Sequence, residues 1–487
     1  MPYLFEGLLI LRLKFLLTAV ILLCLMLPVA VAQNAVDTAV TITPDSTMYV
    51  KVASITITGN RKTKAYIIQR EISFKKGDSI RLQELPGMLL QARNLVYNTN
   101  LFTEVEFTSL ILQQDSLNIY VSVKEKWYIY PTPQFQLVDR NFNEWIKVYN
   151  ADLNRVIYGA KFVHYNFSGR RDVLRLSAVS GYARNLSFSY SNPYSNRALT
   201  EGYGVALSYT ENREITYNTS TDNKLQQYRN GNFVRTAFNL SGSYNVRKGY
   251  FKTHYYAAGI TAIKITDSII NVKYNPDYFN AGNTRQIFPD FAYGFSYINT
   301  NNINYPLTGK IYGMSFSKRG LGISGGINLL AVDGAYTRFI EHKKNWYSSI
   351  ELAAKIKLPF KQAYINTRAL GYGEFYLRGL EYYVIDGVAA ALARYTFKKK
   401  LVAFKIPIPF KNRFLQNIPV TLFAKGFADL GYSHLPSEHQ ANLNNKMLYT
   451  TGFGVDVLTF YDLNIRVEYS FNQLGQNGLF LHVKGGF

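Results

Sequence analysis

From Pro131 to Phe487 the chain alternates apolar and polar residues with period two, in segment after segment, and no helical periodicity interrupts it. In "LSFSYSN", Leu186, Phe188 and Tyr190 oppose Ser187, Ser189 and Ser191. In "FNLSGSYNV", Phe238, Leu240, Tyr244 and Val246 oppose Asn239, Ser241, Ser243 and Asn245, and in "LNIRVEYSFN" Leu463, Ile465, Val467, Tyr469 and Phe471 oppose Asn464, Arg466, Glu468, Ser470 and Asn472. Successive strand side chains point to opposite faces, so each segment has one oily and one wet side. A secreted sandwich or propeller also alternates, because it buries one face and wets the other. Three further features favour a membrane barrel: an export signal at the N-terminus, segments of about ten residues, and aromatic residues recurring near segment ends, as an interfacial girdle requires. Segmenting at turn signals gives about sixteen strands, within the range of outer-membrane barrels. In hydrocarbon every backbone N–H and C=O needs a partner, so the strands are expected to close on themselves.

Composition agrees with strands rather than helices as the spanning element. The chain is 15% aromatic, with 39 Tyr and 32 Phe, its mean hydropathy is −0.09, and no interior run of about 18 apolar residues occurs. Residues 1–32 read as a secretory signal peptide: Arg12 and Lys14 precede the apolar stretch Phe15 to Leu27, then Pro28 and the small-residue site "AVAQ". An uncleaved anchor is the alternative. The single cysteine, Cys24, lies inside this segment, so the mature chain is expected to have neither disulfides nor thiolate chemistry. The net charge of +22 would suit nucleic acid in a soluble protein, but export argues against that partner. The basic clusters "KKK" (Lys398 to Lys400), "HKKN" and "GRR" suit a solvated face, or anionic lipid headgroups and lipopolysaccharide phosphates.

Residues 33–47 are polar and aperiodic, a flexible lead-in. Residues 48–128 read as a small β-α-α-β-β unit: the strand "VASITITG", a helix over "TKAYIIQREIS" with Thr63 as N-cap, a second helix from Leu82 to Asn98 with Leu85, Leu89, Ala92 and Val96 on one stripe, then the strands "FTEVEFTSL" and "LNIYVSVKEKW". The barrel occupies 129–487. The histidines show no metal-ligand spacing, and neither metal nor cofactor is expected. "GISGG" satisfies G-x-S-x-G through Gly322, Ser324 and Gly326, but a nucleophile elbow needs a helix after it. The following "INLLAVDGAYTRF" reads as a strand, so a glycine-rich turn is the better account and no enzymatic activity is expected.

The stretches "ITGNRKTKAYIIQREISFKKGD", "NLF" and "VKEKW" resemble a polypeptide-transport-associated (POTRA) domain. With "LRGL" in a long loop, "FADLG" and a terminal aromatic, the chain as a whole resembles the BamA/TamA superfamily, also called the bacterial surface antigen family. The resemblance implies an outer-membrane barrel that inserts or translocates proteins, a periplasmic POTRA-like domain that binds unfolded exported clients, and accessory assembly proteins as partners; a passive pore for small solutes is the alternative. Family assembly factors typically carry several POTRA units where this chain has room for one, and Leu380 stands where relatives usually have an aromatic. The resemblance also folds the loop from about Pro359 to Gly387 into the barrel, its Arg378 meeting an acidic lumen residue while Gly379 permits close approach. Alternation puts Asp429 and Asp456 on the lumen face, and Arg378 is expected to pair with Asp429 first and Asp456 second. Because a wet lumen screens charge, that pair is expected to contribute roughly 1–2 kcal/mol. Phe487, with Val483 and Leu481 on the same face, would form the C-terminal assembly signal, on a last strand paired with the first barrel strand.

Overall fold

The computed structural model describes residues 48–112, 115–138, 142–147, 150–279, 282–323, 326–407, 417–436 and 441–485. The expected signal peptide and lead-in, Ser324 and Phe487 lie outside them.

The N-terminal unit comprises β1 (Tyr49–Thr58), α1 (Ala65–Gln69), β2 (Ser79–Arg81), α2 (Leu85–Tyr97), β3 (Phe102–Leu112) and β4 (Ser116–Glu125). Its sheet runs β2-β1-β4-β3, with β1 and β4 parallel and the other pairs antiparallel. The short β2 was not read from the sequence, since three residues carry too little alternation to register. The stripe on α2 is buried against the sheet: Leu85, Ala92 and Val96 join Val50, Val52, Leu117, Ile119 and Val121 in one core, and Leu89 packs against it. Pro86 is accommodated in the first turn of α2, where its missing N–H has no intrahelical acceptor to lose. Thr63 does not cap α1. The cap position is Lys64, which makes no side-chain cap bond, whereas the Thr63 amide donates to Glu125 Oε1 at 2.7 Å and its hydroxyl accepts from Asn166 Nδ2 at 2.9 Å. Thr63 therefore serves a longer-range contact than the capping it was expected to provide.

The remaining strands are β5 (Ile129–Leu137), β6 (Val156–Tyr165), β7 (Val173–Gly181), β8 (Ala183–Asn192), β9 (Glu201–Asn212), β10 (Glu214–Thr219), β11 (Leu225–Arg229), β12 (Arg235–Lys248), β13 (Lys252–Ile265), β14 (Arg285–Thr300), β15 (Gly309–Arg319), β16 (Leu329–His342), β17 (Trp346–Leu358), β18 (Arg368–Leu370), β19 (Ile385–Asp386), β20 (Ala389–Pro407), β21 (Asn417–His434), β22 (Met447–Leu458), β23 (Asn464–Asn472) and β24 (Asn477–Lys484). A short α3 (Phe142–Lys147) lies between β5 and β6. Sixteen strands form one antiparallel meander from β5 to β24, and β10–β11 and β18–β19 are hairpins outside it. The apolar face read from the sequence is the outer one: Leu186, Phe188, Phe238, Leu240, Tyr244 and Phe471 are all exposed, while Asn464, Glu468 and Ser470 opposite them are buried. An exterior of this kind suits hydrocarbon and an interior that is polar. The sheet has the expected sixteen barrel strands, but the expected pairing of the last strand with the first is not seen among the described residues: no ladder joins β5 to β24, which are the two ends of the sheet. Pro131 and Pro133 stand two apart in β5 and so lack amide donors on the same edge of the strand, which fits it for an edge position rather than for pairing on both sides.

From Tyr49 onward the chain forms one compact unit, because the N-terminal unit is seated on the turns at one end of the barrel. Tyr194, in the turn after β8, is part of the N-terminal unit's core. Its hydroxyl donates to Glu71 Oε1 at 3.1 Å, and Arg247 Nη2 donates to Glu71 Oε2 at 2.7 Å. Arg70 donates to the carbonyls of Leu199 and Gly249, Arg171 to that of Thr99, and Tyr97 to Asp462. The change of sheet at Ile129 is therefore not a break in packing.

Candidate functional site: the loop inside the barrel

The segment between β17 and β20 carries the Arg-Gly motif. Its apolar residues hold it: Leu370, Leu377, Leu380 and Ile385 form a cluster with Ala390, Leu392, Leu443 and Leu448. Gly431 on the inner face of β21 makes room for Leu377, since a Cβ there would lie 2.6 Å from Leu377 Cδ1. At the far tip of the β10–β11 hairpin, Asn223 donates to the Val384 carbonyl at 3.1 Å and accepts from the Leu443 amide at 2.8 Å, so three loops cross-brace one another at the end opposite the N-terminal unit.

Arg378 and Asp429 meet. The Arg378 guanidinium donates to both carboxylate oxygens, through Nε to Oδ2 at 2.9 Å and through Nη2 to Oδ1, and the Arg378 backbone amide adds a third bond to Oδ2 at 3.0 Å. Nη1 donates to Thr396 Oγ1 at 2.9 Å and Nη2 to the Tyr395 carbonyl. The guanidinium lies 4.1 Å from the Phe427 ring centroid, within cation–π range. Side-chain exposure is 7% for Arg378 and 0% for Asp429, so the pair is dry rather than bathed by an aqueous lumen, and the weak coupling expected from screening is replaced by the energetics of a buried pair.

Asp456 is not a partner of Arg378. Lys425 and Lys398 pair with it and the Tyr305 hydroxyl donates to it at 2.8 Å. Strand register explains why: Asp456 stands opposite Phe423 on β21 and Asp429 opposite Thr450 on β22, six residues apart along β21 and hence about 20 Å along the strand. Alternation fixes the face a residue occupies but not its height in the barrel.

Several participants carried no local sequence signal. Lys425 also pairs with Glu468 at 2.5 Å, across β22, because Gly454 sits between them in register and has no side chain to block the path. Gly452 likewise leaves space for Phe427, whose Cζ would be 2.5 Å from a Cβ there. Arg394 pairs with Glu351 and donates to the carbonyls of Glu374 and Tyr376 in the loop. The small residues of "TGFGVDV" were the available hint, since a glycine in a strand marks a close approach.

Gly379 has φ +90°, and a Cβ there would lie 2.8 Å from Ser470 Cβ; its carbonyl accepts from Asn472 Nδ2 at 2.8 Å. Both the backbone region and the space exclude a side chain. Gly379→Ala is expected to destabilise the seated loop by about 1–3 kcal/mol, measured as a lower temperature for loss of the compact, heat-modifiable band of the purified barrel on detergent gels. An unchanged transition would show that the loop accommodates a side chain there.

Leu380 is buried, and its amide donates to the Leu377 carbonyl at 3.1 Å. On β24, Leu481 and Val483 face outward and are exposed. Gly322 and Gly326 lie in the turn before β16, a strand and not a helix.

The POTRA family, described as surface antigen variable number repeat, matches residues 50–126. No curated protein matches the chain. Among solved structures, CdiB from Escherichia coli is similar with a TM-score of 0.51 and 13% identity over 90% of this chain and 76% of that one. BamA from Haemophilus ducreyi lacking POTRA domains 1–3 gives a TM-score of 0.47 and 15% identity over 89% of this chain and 84% of that one. At such identity the likeness to CdiB speaks to fold. Residues 50–126 are therefore a POTRA domain, and the chain is a POTRA-bearing sixteen-strand barrel with the fold implied by its resemblance to the BamA/TamA superfamily.

Proposed function

We propose that this chain inserts or translocates proteins at the bacterial outer membrane, with its POTRA domain in the periplasm binding client chains. The observation that carries this reading is the combination of a POTRA domain fastened to the turns of a barrel whose sheet ends in two strands, β5 and β24, with no ladder between them among the described residues. An unpaired strand edge is a template for another chain. The POTRA sheet adds a second such edge in β3, where Leu110 and Ile111 are exposed. A passive pore needs neither feature, nor a loop such as the one that carries Arg378, seated inside against β20, β21 and β23.

The basic clusters bear on the lipid partner. Arg171 contacts the POTRA domain, "HKKN" forms the turn between β16 and β17, and Lys399 stands opposite Trp346 at the start of β17. All lie at the POTRA end. With that end in the periplasm the exposed Lys343, Lys344 and Lys399 suit anionic headgroups of the inner leaflet rather than the lipopolysaccharide phosphates of the outer one, whereas Arg171 and Lys398 are engaged by Thr99 and Asp456.

Deletion of the gene followed by an inventory of outer-membrane and surface proteins tests the reading. The expected result is selective depletion of one or more barrels or surface-exposed proteins, restored by the intact chain and not by a chain lacking residues 48–128. An unchanged inventory with altered uptake of small solutes would establish the pore instead.

A further inference from the structure

Glu381 in the loop, Glu468 on β23 and His482 on β24 bring three ligand atoms within 4.8 Å of one another. His482 Nε2 lies 3.5 Å from Glu381 Oε1 and 3.6 Å from Glu468 Oε2. Neither contact is a hydrogen bond, and all three atoms are buried without a hydrogen-bond partner. A simple imidazolium–carboxylate pair does not account for this, because one N–H points at one acceptor, whereas Nε2 is nearly equidistant from two.

The spacing matches a metal. With zinc-to-ligand distances near 2.1 Å, adjacent ligands of a tetrahedral site are about 3.4 Å apart. Each carboxylate is held by its other oxygen: Glu381 Oε2 accepts from the Gly379 amide at 2.6 Å, and Glu468 Oε1 pairs with Lys425 at 2.5 Å. That leaves Glu381 Oε1 and Glu468 Oε2 free to face the imidazole, which stacks on Tyr376 with centroids 5.9 Å apart. Outer partners that fix ligand orientation in this way are what a metal site requires. Glu468 is fully buried, and no Lys or Arg lies within ion-pair distance of Glu381 among the described residues. A cavity of about 400 Å³ lined by Gly371, Tyr376, Glu381, Arg466 and His482 gives access to two of the three ligands, Glu381 and His482.

We propose that Glu381, Glu468 and His482 bind a divalent transition metal of the zinc type. One imidazole and two carboxylates suit Zn²⁺ or Co²⁺. The ligands come from three elements and up to 101 positions apart, Glu381 to His482, so no linear spacing could reveal them. Bound metal would fasten β24, an end strand of the sheet, to the loop that carries Arg378.

The full chain in detergent, stripped with a chelator and desalted, is titrated with Zn²⁺ alone. The expected result is one zinc per chain, retained by His254→Ala and weakened about tenfold or more by His482→Ala and by Glu381→Gln, with all variants keeping heat-modifiable migration. Stripped wild type loaded with Co²⁺ should show the visible bands of a tetrahedral site, a readout independent of whether any variant folds. Substoichiometric zinc, zinc unaffected by both ligand variants, or a purely octahedral Co²⁺ spectrum would overturn the proposal. None of these readouts depends on how the chain handles proteins.

Discussion

Arg378→Ala is expected to destabilise the seated loop by about 3–5 kcal/mol, the range for removing one partner of a buried ion pair. The substitution leaves Asp429 without its guanidinium in a place with no solvent access. It also removes the donors to Thr396 and the Tyr395 carbonyl and the contact with Phe427. Part of the backbone anchor survives, since the residue 378 amide can still donate to Asp429. Asp429→Ala is expected to be comparably severe, because it strands a buried guanidinium and a backbone donor together. The double variant should be no worse than either single one, as its buried charges are gone as a pair. The measurement is the temperature at which each purified barrel loses its compact gel band, read alongside the amount of inserted barrel in cells. Strictly additive losses would show that the two residues do not act as a unit. Arg378→Lys is a sharper control: an ammonium cannot reproduce the fork that spans both carboxylate oxygens, so it should recover only a minor part of the loss.

How much of this was legible in the sequence depends on which physical rule each element obeys. The sixteen-strand sheet was readable because a strand with lipid on one side and packed polar groups on the other must alternate, and Leu186 to Tyr190 or Leu463 to Phe471 do so without interruption. The α2 stripe was readable for the analogous reason at helical spacing. What escaped is set by three-dimensional register. Asp456 has the right parity to face inward but stands near the POTRA end of the barrel, and nothing local to "GVDV" reports its height. The Lys425–Glu468 pair and the contacts of Arg394 were invisible because each is one polar residue among many on an inner face; the pair depends on Gly454, and the contacts of Arg394 on a loop entering from another strand pair. Arg378 and Asp429 were named through the family resemblance combined with parity; neither alone would have paired them. The lack of a ladder between β5 and β24 among the described residues was not legible, because the general rule that membrane strands close points the other way.

The seat of the POTRA domain should depend on one carboxylate, and its response to acid has a definite sign. Glu71 is fully buried. Burial by itself would push its carboxyl up, but hydrogen bonds and charge from Arg247, with Arg171 and Arg70 nearby, outweigh burial and hold it below its ordinary value of 4.5. A carboxyl whose folded value is depressed contributes stability that is present in full above 4.5 and is lost as pH falls through the folded value. Docking of the POTRA domain should therefore be constant from neutral pH down to about 5, then weaken in more acidic solution as the proton displaces Arg247. Glu71→Ala should cost roughly 3 kcal/mol at neutral pH, the lower end for breaking a buried pair, because Arg247 keeps the Tyr194 hydroxyl and the Tyr250 carbonyl. Glu71→Gln keeps an acceptor for Arg247 without the titratable charge, so its docking should be weaker at neutral pH and lose the acid-dependent step. Hydrogen exchange of α1 and of the turn containing Tyr194 follows both effects directly. An acid step of the same size in the wild type and in Glu71→Gln would assign the pH response to some other group and remove Glu71 as the residue that fastens the domain to the barrel.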